Sequence, residues 1–191
     1  MSGYCAIAPG HPLHGPYHDA EYGFPAREEA VLFERLVLEI NQAGLSWLTV
    51  LKKRAAFRSA FADFDVDRVA AFAEADVARL LADPGIVRNR LKVDAIIANA
   101  RRIRELRDSH GSFHAWLDSH HPRPLEQWTR LFRQHFRFTG GLIVHEFLMS
   151  LGYLPGAHAE DCPVYARILE LAPPWSRATA GGQIDVAIRG D

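Results

Sequence analysis

The stretch Glu39–Arg54, EINQAGLSWLTVLKKR, combines one carboxylate, a tryptophan after a Gly-Leu-Ser turn, and a basic cluster. Before it, apolar residues recur at three- and four-residue spacing, which predicts a helix with one buried face. Gly44 allows a turn that residues with side chains resist, and Ser46 can cap a second helix. The stretch therefore predicts a helix-turn-helix corner where Glu39 and Trp47 line one cavity. From spacing alone, a solvated Glu39 and a core Trp47 remain an equal alternative.

Composition limits the choice of partners. The chain has 191 residues and is 48% hydrophobic, enough for one helical domain or two small lobes sharing a cleft. With 22 basic and 23 acidic residues, the formal net charge of −1 argues against general polyanion binding, so any DNA contact requires a local basic patch. The candidates are Lys52, Lys53, Arg54, Arg58, Arg88, Arg90 and Lys92. No apolar stretch reaches membrane-spanning length, so we expect a cytoplasmic protein with no membrane partner.

A second helical pair is expected around Asp83-Pro84-Gly85. Short helices precede this turn, and a long periodic helix follows from about residue 88 to residue 109. Backbone N–H groups of Gly85, Ile86 and Val87 could meet a phosphate near the start of the second helix. Arg88, Arg90 and Lys92 stand beside the turn and are the other candidate DNA contacts. The same outline also occurs in proteins that bind no DNA, and the charges could form a solvated face.

Two Cys/His pairs lie near opposite ends of the chain: Cys5 with His18, and His158 with Cys162. Two thiolates and two imidazoles suit tetrahedral Zn²⁺, although unrelated cysteines remain an alternative from the residues alone. The segment His158–Pro163, HAEDCP, lacks the proline before the first cysteine and the second cysteine three places on that the zinc deaminase signature requires. Beyond Pro173 the pattern weakens. We therefore expect one two-lobed helical domain over 1–172 and a mobile tail over 173–191.

Three blocks resemble the type I DNA-3-methyladenine glycosylases of the helix-hairpin-helix superfamily. They are YHDAEYG at 17–23, LEINQAGLSWLTVLKKR at 38–54, and DPGIVRNRLKVDAIIANA at 83–100. The resemblance implies an all-α helix-hairpin-helix fold and excision of N3-methyladenine from alkylated double-stranded DNA by a monomer. It also implies a structural Zn²⁺ on Cys5, His18, His158 and Cys162, a clasp that joins the N- and C-terminal segments.

The resemblance also assigns a base pocket. Glu39 and Trp47 make the pocket in the family, and Tyr17 contacts the base, while Tyr22 borders it. An extruded base needs an aromatic face and a polar group to read its edge, and a carboxylate attracts a cationic purine. Glu39 is therefore the predicted catalytic residue as well as a binding residue. The segment 136–147 contains no aspartate, and the only lysines are Lys52, Lys53 and Lys92, so we expect a monofunctional glycosylase without strand cleavage.

Some positions depart from the family pattern. Ile7 stands where the family has an aromatic residue, and Tyr22 stands where it has tryptophan. His145 and Glu146 replace residues that border the pocket in the family. His145 and Glu146 could be new pocket groups or could face solvent. The runner-up hypothesis is therefore a retargeted or non-catalytic homologue that binds damaged or unusual nucleic acid. A third is a zinc-stabilised helical interaction protein.

Overall fold

The structure, a computed structural model, describes residues 3–181, and every regular element in that range is helical. The predicted all-α class is confirmed. The helices are α1 (Tyr4–Ile7), α2 (His14–Ala20), α3 (Glu29–Gln42), α4 (Trp47–Ala60), α5 (Val66–Ala70), α6 (Glu74–Ala82), α7 (Arg90–His110), α8 (Phe113–His120), α9 (Leu125–His135), α10 (Gly141–Ser150), α11 (Pro163–Glu170) and α12 (Pro174–Gly181). A 3-10 turn over Ala62–Phe64 connects α4 to α5.

The predicted corner joins α3 to α4. Gly44 has a φ of 80°, a left-handed conformation that glycine adopts without steric cost. Ser46 caps α4, because its hydroxyl accepts a hydrogen bond from the Thr49 N–H at 3.2 Å. Trp47 is the first residue of α4, so the Ser46 cap fixes the backbone from which the indole projects at this corner.

One apolar core connects helices α3 to α10. Residues of α3 and α7 pack at its centre, and the side chains of Trp116, Trp128, Phe132 and Phe147 are at most 1% exposed. These aromatic residues fill the space between α8, α9 and α10. Helix α10 also packs directly against α3, and this contact brings residues about one hundred positions apart in sequence to the same site.

The hairpin turn joins α6 to α7. Helix α7 begins at Arg90, two residues later than expected, and the Asn89 side chain caps it by accepting from the Lys92 N–H at 3.2 Å. Ile86 is buried in the core and Val87 packs against it. The apolar side chains of the turn thus fasten the hairpin to the domain.

The two ends of the described chain lie together. Helices α1 and α2 meet the segment before α11 through two cysteines and two histidines, Cys5, His18, His158 and Cys162. Part of the predicted tail is helical: α12 starts at Pro174, and the Trp175 N–H donates to the Gly152 carbonyl at 3.1 Å. Residues 182–191 lie outside the described residues, and mobility of 173–191 stays a prediction. None of the described helices is both long and apolar enough to cross a membrane.

Candidate functional site and metal cluster

Cys5, His18, His158 and Cys162 converge in one buried cluster. One ligand atom from each residue lies within 4.8 Å of the other three, and all four side chains are buried. The Cys5 Sγ is 3.7 Å from the His158 Nδ1, and the Cys162 Sγ is 3.6 Å from the same nitrogen and 3.7 Å from the His18 Nε2. The structure thus brings together the four residues that the sequence predicts as metal ligands.

These separations fit a tetrahedral ion. Zinc bonds of about 2.3 Å to sulfur and about 2.0 Å to nitrogen place the two donor atoms roughly 3.6 Å apart at a tetrahedral angle. Burial lowers the pKa of His158 and so favours the neutral imidazole that binds metal. Burial also raises the pKa of the Cys5 thiol, and a bound cation would reverse that shift by stabilising the thiolate.

Each ring nitrogen that points away from the cluster has its own partner. The His158 Nε2 is 2.8 Å from the Tyr22 carbonyl oxygen, and the His18 Nδ1 is 2.7 Å from the Asp19 carboxylate. Donation to these oxygens leaves the other nitrogen of each ring free for a metal, as in many metalloprotein sites. The Cys5 Sγ also accepts the Ala159 N–H at 3.4 Å. The cluster is therefore oriented by the surrounding chain.

An aromatic site lies directly beside this cluster. Tyr17 packs against Trp47 with ring centroids 5.0 Å apart and against Tyr22 at 5.8 Å. Leu51 and Met149 complete the same apolar contact. Tyr17 and Tyr22 are buried, whereas Trp47 is partly exposed, so the indole is the aromatic face nearest to solvent.

Tyr4 is an additional neighbour that the sequence analysis did not identify. Its ring meets the edge of Tyr22 at 5.5 Å, and its hydroxyl is 3.1 Å from the His14 Nδ1. Its place beside Cys5 is the only sequence signal that could have suggested it.

Glu39 supplies the buried charge of the site. Its side chain projects from α3, the residue is 3% exposed, and Oε2 has no hydrogen-bond partner among residues 3–181. Burial raises the pKa of Glu39 to about 8, with a further contribution from the Glu146 charge that Arg35 partly offsets. A buried carboxyl oxygen without a partner is uncommon in folded proteins, and here it is near enough to Tyr17 and Tyr22 for a Glu39 charge to contribute to the raised pKa of both buried hydroxyls.

Arg35 lies one turn before Glu39 on α3 and binds Tyr17 and Glu21. Its Nη1 donates to the Tyr17 hydroxyl at 3.2 Å, and its Nη2 donates to the Glu21 carboxylate at 3.1 Å. The guanidinium also lies 4.9 Å from the centre of the Tyr17 ring. These contacts hold Tyr17 in place and use both terminal nitrogens of Arg35, while its buried Nε has no hydrogen-bond partner among the described residues.

Much of the predicted basic patch is directed into the protein. Arg54 donates to Glu21 at 2.7 Å and to Glu34 at 3.0 Å, and Arg58 donates to Glu34 at 3.1 Å. These pairs tie α4 to α3 and to the end of α2. Arg54 and Arg58 therefore brace the helices that carry the site. The Arg58 side chain is also 50% exposed, and a DNA contact by either residue stays a prediction.

The hairpin residues divide in the same way. The Gly85 N–H donates to the Asp83 carboxylate at 2.7 Å, so this amide is engaged within the turn and is not directed at a phosphate as predicted. Lys92 is 4% exposed, and its ammonium donates to the Asn41 and Ala43 carbonyls at 2.9 and 2.7 Å. The expectation of a surface Lys92 was wrong, because the end of α3 needs a donor for its free carbonyl groups.

Arg88 and Arg90 remain at the hairpin surface. Both residues are exposed, and Arg90 pairs with Glu74 at 2.8 Å. Lys53 donates to the carbonyls of Pro84 and Gly85 at 3.0 and 3.1 Å, linking α4 to the turn. Lys52 is exposed as well. A smaller patch than predicted therefore stays available to an anionic partner.

Comparison with known proteins agrees with this architecture. The family model for methyladenine glycosylase matches residues 7–132. DNA-3-methyladenine glycosylase 1 of Escherichia coli (strain K12) is 37% identical over 180 residues, which is 84% of this chain and 96% of the relative.

Solved structures are similar over the same extent. A single tyrosine-to-phenylalanine variant of 3-methyladenine DNA glycosylase I, crystallised with 3-methyladenine, has a TM-score of 0.78 and 33% identity; the match covers 86% of this chain and 98% of that one. A Staphylococcus aureus 3-methyladenine DNA glycosylase I structure has a TM-score of 0.77 and 34% identity, covering 85% of this chain and 96% of that one.

Fold and site together define the class. An all-helical chain with a buried carboxyl among aromatic rings, and with a helix-hairpin-helix turn nearby, has the architecture of a helical DNA glycosylase. More narrowly, the chain belongs to the methyladenine glycosylase family.

Proposed function

We propose that this protein is a base-excision repair glycosylase that hydrolyses the N-glycosidic bond of N3-methyladenine in alkylated double-stranded DNA. The observation that carries the proposal is the buried Glu39 carboxyl, whose Oε2 has no partner among residues 3–181 and which lies with Tyr17, Tyr22 and Trp47. The proposal includes action as a monomer in the cytoplasm. The similarity to proteins named as 3-methyladenine DNA glycosylases supports the reaction type.

The electrostatics of Glu39 favour a cationic base. Because the pKa of Glu39 is raised to about 8, the carboxyl of the free site is mostly protonated at neutral pH. An N3-alkylated adenine in DNA carries a positive charge, and its entry stabilises the ionised carboxylate. A neutral adenine gives no such gain. Discrimination therefore depends on charge as well as on shape.

The same residues account for the reaction. A base that has left the helical stack can lie against Trp47, with Tyr17 held in place by Arg35. Glu39 accepts from the exocyclic amino group and stabilises positive charge. The alkylated base departs as a neutral molecule, so strong acid catalysis is not required, and water attacks the sugar carbon. Glu39 is thus the catalytic residue in this scheme.

Strand cleavage is not part of the proposed reaction. A Schiff base with the sugar requires an accessible lysine. Lys92 is buried with its ammonium bonded to two carbonyls, and Lys53 donates to the hairpin carbonyls. Lys52 projects from the exposed side of α4. The enzyme we propose is monofunctional, and abasic DNA incubated with it should stay uncut until heat or alkali is applied.

We propose Zn²⁺ as the ion of the metal cluster, in a structural role. The donor set of two cysteines and two histidines suits zinc, and four protein ligands leave no place for an activated water. Bound zinc would supply binding energy that stabilises the fold of the segment containing Tyr17 and Tyr22. The ion would act on the base site only through the positions of these tyrosines.

The hairpin is the proposed DNA contact. Arg88 and Arg90 are exposed at the start of α7 and can bind phosphates, while the backbone of Ile86 and Val87 lies between them and the turn. These contacts would set the position of the duplex without reading its sequence. Gly85 contributes the tight turn through its bond to Asp83.

Chromatography of the bases released from dimethyl-sulfate-treated duplex DNA tests the proposal. Wild type is expected to release 3-methyladenine, and Glu39→Gln to release it about a hundredfold more slowly. Glu126→Gln, at a carboxylate with an 83% exposed side chain, is the matched control and should equal wild type. Equal rates for Glu39→Gln and wild type would remove Glu39 from its assigned role.

The second candidate is a retargeted or non-catalytic homologue. Glu146 favours it, because this carboxylate bonds to Tyr22 at a position where the family pattern has a different residue. Folded, metal-loaded wild type that binds an abasic-site mimic but releases no 3-methyladenine would establish this alternative. Absence of DNA binding even at low salt, where phosphate contacts are strongest, would leave a helical interaction protein.

A further inference from the structure

Helix α10 places a second carboxylate at the base site. The Tyr22 hydroxyl donates to the Glu146 Oε2 at 3.0 Å, across 124 positions of sequence. Tyr22 is 8% exposed, whereas the Glu146 side chain is 29% exposed. Glu146 is therefore the more exposed partner of this hydrogen bond, and its carboxylate lies at the solvent-accessible end of the Tyr22 side chain.

Glu39 and Glu146 act on each other through space. The negative charge of Glu146 raises the pKa of Glu39, after the larger effect of burial, and both carboxylates raise the pKa of Tyr22. The charged and titratable groups that face Glu39 are Arg35 on its own helix, Tyr17 and Tyr22 from α2 and the segment after it, and Glu146 from α10.

One cation opposes this negative charge, and it is already engaged. Arg35 lowers the pKa of Glu39, but its guanidinium nitrogens donate to the Tyr17 hydroxyl, the Glu21 carbonyl and the Glu21 carboxylate. Glu146 has His145 as a neighbour, with the closest nitrogen and oxygen 3.9 Å apart. The paired carboxyl groups thus lack a close counter-charge inside the site, and a positively charged ligand would supply it.

We propose that Glu146 is a specificity-determining residue, which together with Glu39 makes a two-carboxylate site selective for N-alkylated purines in their cationic form. This inference rests on the proposed function and names the feature of the substrate that the site selects. The hydrogen bond from Tyr22 fixes the Glu146 carboxylate on the aromatic edge of the site. A cationic base in the site stabilises the ionised form of Glu39 despite the neighbouring Glu146 charge, and a neutral base does not.

The size of the effect follows from exposure. Two opposite unit charges a few ångströms apart attract several times more strongly in a partly desolvated site than in water. Because solvent screens a side chain that is 29% exposed, we expect the Glu146 charge to change kcat/KM for the cationic base by about tenfold. Glu39, which is buried, has the larger effect.

Two substitutions separate the charge of Glu146 from its hydrogen bond. Glu146→Gln keeps an oxygen that can accept from Tyr22 but removes the charge, and kcat/KM for 3-methyladenine excision should fall about tenfold, mainly through KM. Glu146→Asp keeps the charge and should restore most of the activity. Tyr22→Phe keeps the charge and removes the bond, which shows how much of the effect comes from holding the carboxylate in place. The exposed Glu126→Gln is the control and should match wild type.

A second measurement reports on the pair without relying on excision. Titration of the glutamate carboxyl carbons by ¹³C NMR gives the pKa of Glu39, assigned by the signal missing from Glu39→Gln. In Glu146→Gln the pKa of Glu39 should fall from about 8, whereas a purely structural Glu146 would leave it unchanged. Thermal unfolding of each variant confirms that it is folded.

The outcomes separate the two proposals. Release of 3-methyladenine by wild type at the same kcat/KM as Glu146→Gln overturns the role of Glu146 and leaves the proposed function intact. An unchanged pKa of Glu39 in Glu146→Gln also overturns it. Folded wild type that releases no 3-methyladenine overturns the proposed function and, with it, this inference. A loss in Glu146→Gln that Glu146→Asp restores, together with the lowered pKa of Glu39, supports the inference.

Discussion

Two buried polar clusters lie on opposite sides of Tyr22 and differ in how their hydrogen bonds are satisfied. In the metal cluster, His18 and His158 each have an oxygen partner on the outer nitrogen. In the base site, Glu39 Oε2 has no partner within residues 3–181. Tyr22 belongs to both clusters through different atoms, because its carbonyl oxygen holds His158 and its hydroxyl bonds to Glu146.

This difference separates stability from binding. Burial of a polar group costs free energy unless the group finds partners. The four metal-cluster residues meet that requirement among themselves and their neighbours, so the cluster can add to the stability of the fold. Glu39 does not, and its cost is recovered only when a ligand with complementary charge enters. The predictions below test this contrast in order of expected effect.

The largest effect is expected from Cys162→Ser, which removes a metal ligand. Zinc content should fall from about one ion per chain to well below it, and the free energy of unfolding should fall by more than about 4 kcal/mol. Mass spectrometry of bound metal and denaturant unfolding measure both quantities. His110→Asn, at an exposed histidine, serves as the control. Full zinc retention in Cys162→Ser would show that the ligand set is wrong.

Lys92→Met tests a third buried charged group, one whose ammonium has partners. The substitution preserves the apolar stem but leaves the Asn41 and Ala43 carbonyls without their donor. Stability should fall by about 1–3 kcal/mol, as measured by urea denaturation. The same change at exposed Lys52 should stay within about 0.5 kcal/mol of wild type. Equal stabilities for Lys92→Met and Lys52→Met would contradict the view that Lys92 completes the end of α3.

Glu39→Gln is expected to act on stability in the opposite direction. The pKa of Glu39 is raised from 4.5 to about 8 in the fold, so the folded protein binds the proton more tightly than the unfolded chain. Stability is therefore lost as pH rises from 4.5 through 8, and the variant escapes this loss. Relative to wild type, the variant should gain about 4 kcal/mol between pH 5 and pH 9.

Chemical denaturation of both proteins at the two pH values provides the measurement. The other titrating groups are common to both proteins and cancel in the difference. A constant stability difference from pH 5 to pH 9 would mean that Glu39 is already ionised without loss, and the contrast with the metal cluster would then fail. Glu126→Gln, at an exposed carboxylate, should show a constant difference.

The smallest effect is expected from Arg88→Ala at the hairpin surface. Stability should stay within about 0.5 kcal/mol of wild type, while DNA affinity falls a few-fold and the dependence of log K on log salt weakens by roughly one contact. Fluorescence anisotropy with a duplex at several salt concentrations measures both. An unchanged salt slope would exclude a phosphate contact at Arg88.

Local sequence signals predicted the elements well. The α3–α4 corner could be predicted because Gly44 and Ser46 act on their immediate neighbours, and the regular spacing of apolar residues identified α7. The four metal-cluster residues were candidates because of their side-chain types, and the resemblance to the glycosylase family selected them as a ligand set. In each case the signal lay within a few positions of the sequence or in the side-chain type.

The direction in which charged side chains point could not be predicted in the same way. A run such as Lys52-Lys53-Arg54 gives the sign of the charge, but the partners of Arg54 are Glu21 and Glu34, which only the packing of α2, α3 and α4 brings near. Glu146 meets Tyr22 across 124 positions. These contacts depend on tertiary packing, which the spacing of residues in one helix does not contain.

The buried Lys92 ammonium has a mechanical consequence. It ties the first turn of α7, which follows the hairpin, to the carbonyls of Asn41 and Ala43, six and four residues before Trp47. Lys53 makes a second tie, from α4 to the hairpin carbonyls. These hydrogen bonds thus join the hairpin to the α3–α4 corner that carries Glu39 and Trp47. In the proposed function, a phosphate bound at the hairpin would lie at a fixed distance from Glu39, and that distance would set how far a nucleotide must leave the helical stack to reach the carboxyl.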